Sequence, residues 1–465
     1  MSPEASQVGW ATLLKPAWFQ PLVVLVGGVL LHSMNVLMLA TVLPSVVEDV
    51  GGAALMSWPT TAFLASSIVA ATCTGYLTAV VGARNAFCAG ALIFGIGALS
   101  CAVAPSIGHV IAGRFVQGFG GGLLAAIAYV LVRNTFPDTV WARAFALLSG
   151  AWSMSVLIGP LLGGVFARHG NWRGAFFSVA VIAAVLAVVA LRALPKTLSS
   201  GGRPRVPGLR IAFVCAAIAA MSLTAIAEQP LLKGGLFVAA LAALFLALRV
   251  DRRAKVRLLP SDAFSLLSST GAGLWLALLV SVAYSPLQIF VPIFLQVLHG
   301  LDPLVAGYMV AGASMGWTTV SLVVAGFSPR WSDRMLVAGP LMMGAGLLGI
   351  AVLTPLGSAA ALFPAIALVG AGVGACWAFT ARRVMVGARP GEGDVAASSV
   401  ATVQQTGFAL GAAIAGLVAN AAGFSALSKS GIADAALWVP TSFIAAAAGA
   451  AIVGRHLIFL SRRAA

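Results

Sequence analysis

Residues 155–166 read SVLIGPLLGGVF, an apolar run with Pro160 and the glycines Gly159, Gly163 and Gly164 at its centre. In water, a helix interior holding Pro160 would lose roughly 3 kcal/mol, and each glycine about 1 more. In lipid the balance changes, because neighbouring helices accommodate the kink and no water competes for the backbone. Ser155, Gly159 and Gly163 fall at i, i+4 and i+8, so one helical face is nearly bare. Bare faces let helix backbones approach closely in a bilayer. Two uses of that face stay open: ordinary tight packing, or a close, bendable contact between two moving lobes.

The composition around this stretch decides the medium. Of 465 residues, 60% are hydrophobic and 8% are charged, with a mean hydropathy of +1.03. A soluble domain carries about 25% charged residues, and this chain has too few to cover a water-facing surface. An integral membrane protein is expected. The five cysteines, Cys73, Cys88, Cys101, Cys215 and Cys376, are scattered through apolar runs without paired spacing. That pattern supports neither a disulfide framework nor a metal site. The first apolar run, at about residues 21–44, is too long for a signal-peptide core.

A span needs about 20 apolar residues. Fourteen such runs are predicted, at about 20–44, 58–80, 85–105, 107–132, 142–167, 174–194, 209–227, 232–249, 264–297, 304–327, 335–355, 358–381, 395–423 and 436–458. In the long ninth run, Pro286 and Pro292 are expected to bend one helix rather than split it. With the N-terminus inside, 22 of the 27 Lys and Arg fall in inner segments, among them Arg203, Arg205, Arg253 and Lys255. Only Arg168, Arg173, Lys233 and Lys429 fall outside, and Arg114 lies within a span. This separation follows the positive-inside rule and predicts both termini in the cytoplasm. It also explains the net charge of +15 without a nucleic-acid partner, because the excess is spread over many inner segments rather than one face.

Two charged, turn-rich segments, 195–210 and 249–262, bracket the seventh and eighth spans. The expected organisation is a six-helix lobe over 1–194, a linker with two inserted spans over 195–262, and a second six-helix lobe over 263–465. GYLTAVVGARN from Gly75 and GFSPRWSDR from Gly326 stand at equivalent places in the two lobes, as parallel repeats of a transporter would.

Several motifs now carry a resemblance. GPLLGG (159–164) is similar to the antiporter motif in the fifth span of drug-exporting major facilitators, with Ser155 where a glycine is usual. GRFVQGFGGG (113–122) resembles the fourth-span motif, matching at Arg114, Gln117 and Gly118. NWRGAFF (171–177), FLQVLHGLDPLVAG (294–307) and SSVATVQQTGFALGAAIAG (398–416) resemble further signatures of the fourteen-span drug:proton antiporter branch. The likeness runs over the whole chain and implies an all-α major facilitator fold in the inner, or plasma, membrane. It implies a monomeric secondary transporter whose central site, between two lobes, alternates in exposure. The family's loop motif is matched at Gly75, Leu77, Gly82 and Arg84, but Ala79 replaces its aspartate. Asn35 stands where the first span usually carries another.

Those departures bear on coupling. None of the twelve carboxylates falls mid-span by the boundaries above. Proton-driven carriers use buried Asp, Glu or His. His32, midway along the first span, is thus the candidate proton carrier, with Glu48 and Asp49 at the rim. The alternative is a neutral histidine bonded between helices. Arg114 is a permanent cation in a span, a costly arrangement taken as functional by default; a structural tie to carbonyls or amides is the other reading. The resemblance places the first and fourth spans of each lobe around the cavity. That makes Asn35, Arg114, Gln117, Tyr284, Gln288 and Trp377 the candidate substrate pathway. Gly75, Arg84, Ser155, Gly159, Pro160, Gly163 and Gly164 are the candidate conformational elements.

The glycine runs GFGGG (118–122) and GAGVG (370–374) lack the strand and the Lys-Ser/Thr of a phosphate loop. No catalytic constellation, metal site or cofactor is expected. The partners expected are the bilayer, a small molecule and protons. Three functions remain: proton-coupled export of lipophilic molecules or drugs, export or facilitated passage of a specific anionic metabolite, and a membrane sensor without transport.

Overall fold

In the computed structural model, residues 15–52, 58–196, 208–226, 229–252, 257–356, 359–424 and 429–464 are described, with Trp10, Leu13, Leu55 and Ala254. Among them are helices and no strands. The first block holds α1 (Pro16–Val50), α2 (Trp58–Val81), α3 (Ala83–Ala102), α4 (Ile107–Thr135), α5 (Trp141–Arg168) and α6 (Trp172–Ala193). Then come α7 (Gly208–Ile226) and α8 (Pro230–Arg252). The last block holds α9 (Ser269–Ile289), α10 (Val291–His299), α11 (Pro303–Val324), α12 (Pro329–Leu356), α13 (Ala359–Val386), α14 (Gly393–Ala421) and α15 (Lys429–Ala464).

Thirteen stretches among the described residues are long and apolar enough to cross a membrane, α9 and α10 together making one of them. Helices are the outcome because every backbone amide in hydrocarbon must be bonded within its own segment. Pro160 sits inside an unbroken α5, and Pro21 and Pro44 inside α1. The ninth run departs from the expected bend, because it breaks at Phe290 into two helices. Pro292 stands at the start of α10 and has no N–H to offer the carbonyl four residues back, so the ladder is interrupted there. The inner segment holding Arg203 and Arg205 lies outside the described residues, as do Arg253 and Lys255.

The chain divides into two compact units. The first takes Met1–Ala144, Gly150–Ser261 and Gly391–Thr402; the second takes Phe145–Ser149, Asp262–Pro390 and Val403–Ala465. Within the first, α4 packs extensively on α2 and α3, and α3 on α6. Within the second, α13 packs on α11 and α12, and α12 on α15. The same order of contacts therefore recurs.

Glycine makes both hubs possible. A Cβ at Gly118 would lie 2.2 Å from the Phe63 carbonyl oxygen on α2, and one at Gly120 would lie 2.3 Å from the Phe94 nitrogen on α3. At Gly370 it would lie 1.8 Å from the Ala313 oxygen on α11. The glycine runs in α4 and α13 are thus close helix contacts. Helix starts are capped by side chains: Ser106 accepts from His109 N–H, Asn171 from Gly174 N–H, and Ser268 from Gly271 N–H.

Candidate functional site

α1, α2 and α4 bring the first unit's buried polar groups together. Arg114 is 1% exposed, the largest fully buried side chain among the described residues. Its Nη1 donates to Asn35 Oδ1 on α1 and, at 2.7 Å, to Gln117 Oε1 one turn along α4. Its Nε donates to the Pro59 carbonyl at the start of α2, 3.4 Å away. The guanidinium lies 4.1 Å from the centre of the Phe63 ring. Every one of these contacts is with a neutral group. The cation is held by dipoles and a π face, and it forms no ion pair among the described residues.

His32, one turn from Asn35, stacks on the same Phe63 ring at 5.4 Å and meets Trp152 edge-on at 6.1 Å. It is buried, and its Nδ1 has no hydrogen-bond partner among the described residues. The amide nitrogens of Asn35 and Gln117 are likewise buried and unpartnered. Gly121 makes room for the imidazole, since a Cβ there would fall 2.5 Å from His32 Nδ1. One compact cluster thus joins a fixed cation, a titratable ring and two half-satisfied amides.

The rim acids stand apart from it. Glu48 and Asp49 are exposed, about 25 Å along α1 from His32 at 1.5 Å per residue. Asp49 accepts from Arg173 Nη1 and, at 3.1 Å, from Trp172 Nε1 at the start of α6. The bond from Arg173 first, and then that from Trp172, hold its carboxyl below the usual carboxylate range.

In the second unit, Tyr284 on α9 is buried and hydrogen-bonds with the side chains of Ser314 and Gln288. Gln288 is exposed and Trp377 is buried. Tyr284 meets Trp317 edge-on at 5.6 Å and Phe408 at 6.0 Å, and Trp317 meets Trp377 at 6.1 Å. This aromatic cluster also carries a buried indole N–H, that of Trp317, with no partner among the described residues.

The glycine face of α5 lies on α1. A Cβ at Gly159 would come 2.7 Å from the Met34 carbonyl oxygen, and one at Gly163 2.1 Å from Thr41 Oγ1. Gly164 has nothing within 4 Å. Ser155 Oγ donates back to the Trp152 carbonyl at 2.5 Å, and Pro160 follows Gly159 on the same helix. Gly75 on α2 faces Val395 and Ser398 in the first turns of α14, while Arg84 Nη1 reaches the Leu191 carbonyl at 3.4 Å.

Phe63, Trp152, Trp317 and Phe408 are absent from the sequence prediction. An aromatic residue inside an apolar span carries no signal of its own, whereas a polar one stands out.

The Major Facilitator Superfamily pattern matches residues 25–414. The chain belongs to this superfamily. It is 34% identical over 483 aligned residues to the "Probable multidrug-efflux transporter Rv1634" of Mycobacterium tuberculosis, covering 100% of this chain and 99% of that one. The "Multidrug resistance protein 3" of Bacillus subtilis is 24% identical, with 84% of this chain and 77% of that protein covered. Among solved structures, the human organic anion transporter MFSD10 superposes with a TM-score of 0.70 at 16% identity, over 94% of this chain and 99% of that one. The proton:xylose symporter XylE superposes with a TM-score of 0.65 at 14% identity, over 92% and 94%. Both show the same all-helical fold.

Proposed function

We propose that this protein is a secondary transporter that exports lipophilic small molecules or drugs across the bacterial plasma membrane by alternating access, in exchange for protons. The observation that carries this reading is the full-length likeness to a protein named as a multidrug-efflux transporter. The lobes are 1–194 and 263–465, with 195–262 carrying two inserted spans. α7 is the fourteenth span, added to the thirteen clear ones, and both termini lie in the cytoplasm.

His32 is the proton carrier in this reading. Its ring is buried beside Arg114 with one nitrogen unpartnered, and no described carboxylate lies mid-helix to take that role. Asp49 and Glu48 form a separate outer station, with Asp49 tied to Arg173. Asn35, Arg114 and Gln117, with Tyr284, Gln288 and Trp377, contact substrate. The α1–α5 glycine contact at Gly159 and Gly163 is the surface on which helices slide. Ser155, Pro160, Gly164, Gly75 and Arg84 belong to the same conformational set.

One observation favours a second reading. Arg114 keeps its charge with neutral partners only, which suits an anionic or carbonyl-bearing substrate. Purified protein in proteoliposomes, with and without a pH gradient, separates the two. Export of a lipophilic cation that needs the gradient, and loses that need in His32→Gln, supports proton antiport. Gradient-independent movement of an anion, lost in Arg114→Gln, supports the second reading and overturns the first.

A further inference from the structure

Away from this cluster, α12 and α15 form a groove of about 470 Å³ in the second unit. The two helices touch where Gly454 meets α12, since a Cβ there would lie 2.3 Å from the Leu336 carbonyl oxygen. The groove lies beside that crossing, between residues 330–341 of α12 and Ile458 and Arg462 near the end of α15. Arg330, Arg334 and Arg462 line its outer part, and Val337, Leu341 and Ile458 its inner part. On α12 the lining residues stand at i, i+4, i+7 and i+11, one helical face. On α15, Ile458 and Arg462 are one turn apart. Each wall therefore runs from a cation at the helix end to apolar side chains deeper along a membrane-length helix.

The charges of this groove are unspent. Arg330 and Arg462 are exposed and take part in none of the ion pairs among the described residues. Arg334 lies over the Trp331 ring at 4.5 Å. The one carboxylate in the lining, Asp333, is engaged by Arg383 Nη2 at 2.5 Å, which withdraws its negative charge. A volume of this size lies within the range of small-molecule sites. Guanidinium groups at the rim match phosphate oxygens bidentately. The apolar floor, with Leu341 56% exposed, continues into a surface that lipid chains would cover.

We propose that this groove binds an anionic phospholipid. Its phosphate sits among Arg330, Arg334 and Arg462, and one acyl chain lies along Val337, Leu341 and Ile458. A free phosphate would satisfy the rim and leave the floor bare, and only a lipid matches both. The site is separate from the substrate pathway and stands whether or not the transported molecule is a drug.

The test is native mass spectrometry of the full-length protein released from phosphatidylcholine nanodiscs containing a minor fraction of phosphatidylglycerol. Wild-type protein should retain phosphatidylglycerol in preference to phosphatidylcholine, and excess inorganic phosphate should not displace it. The Arg330→Gln, Arg462→Gln double variant should lose that preference by tenfold or more, each arginine near the surface contributing roughly fivefold. The corresponding double lysine variant should keep most of it, and Ala338→Phe, which fills the groove with its charges intact, should lose it. Equal retention of the two lipids by wild-type protein, an unchanged preference in the glutamine pair or in Ala338→Phe, or displacement by inorganic phosphate would each overturn the proposal.

Discussion

A guanidinium in the interior of a bilayer protein is tolerable only where its donors are met, and Arg114 meets neutral acceptors on three helices. The same requirement for close approach governs the glycines of α5, where two neighbours differ sharply. A leucine at Gly159 would place its Cβ 2.7 Å from a backbone oxygen and 2.9 Å from Leu37 Cβ, so α1 and α5 would have to part. A methyl group at Gly164 meets nothing within 4 Å. Gly159→Leu should therefore insert into the membrane and elute as folded protein from a sizing column, but show no transport. Gly164→Ala should transport within about twofold of wild type, as most substitutions clear of packed contacts do. Normal transport by Gly159→Leu would mean that helix sliding at this face is not needed. The polar half of the cluster could be read in the chain because Asn35, Arg114 and Gln117 interrupt apolar runs. Their aromatic support could not, because Phe63 and Trp152 look like any other lipid-soluble residue until the helices are packed.

Helices α7 and α8 pack on each other along their lengths and are also tied where their ends meet the flanking connections. Buried Asp251 at the end of α8 accepts from Arg210 at 2.6 Å and from the backbone N–H groups of Leu258 and Leu259. Glu392, just before α14, accepts from Arg257 at 2.9 Å and from both the N–H and the hydroxyl of Ser261. Burial raises the Glu392 pKa, yet the bonds from Ser261 and Arg257 outweigh it, and the net effect is a carboxyl below its ordinary value. A carboxylate depressed in the folded state contributes stability that is complete above the unfolded value. That stability is lost as pH falls through the folded one. Glu392→Gln should thus destabilise detergent-solubilised protein by about 1 kcal/mol at neutral pH, a figure reduced for partial solvent screening. The gap from wild type should close as the pH drops below the usual glutamate range. Thermal unfolding followed across that range measures it, and a gap that is constant with pH would exclude the titration of Glu392. Span positions were legible because an apolar run of the right length has one stable form in lipid. The break at Phe290 was not, since Pro286 is absorbed within α9 while Pro292, six residues on, ends it. Which proline yields depends on the neighbours that re-bond the freed carbonyl, and these are not adjacent in sequence.

Parity ties the elements to the molecule. Thirteen crossings leave the two ends of the chain on opposite faces of the membrane, whereas a fourteenth returns them to one. The thirteen clear stretches do not include α7, a 19-residue apolar helix that packs on α8 and against α2. The charges favour the even count. With α7 spanning, the arginines at the α2–α3 and α4–α5 turns, Arg84, Arg133 and Arg143, share a face with Arg330, Arg334, Arg382 and Arg383, as the positive-inside rule requires. Without it, the second set would lie opposite the first. Single cysteines introduced by Lys15→Cys, Lys233→Cys and Ser461→Cys, in a background with the five native cysteines replaced by serine, read the parity with a membrane-impermeant maleimide. Positions 15 and 461 should label only in inside-out vesicles, and position 233 only in intact cells. Labelling of 15 and 461 from opposite faces would reduce the count to thirteen. Labelling of 233 together with 15 would show that α7 turns back without crossing, and the inner arginines of the last block would then need another explanation.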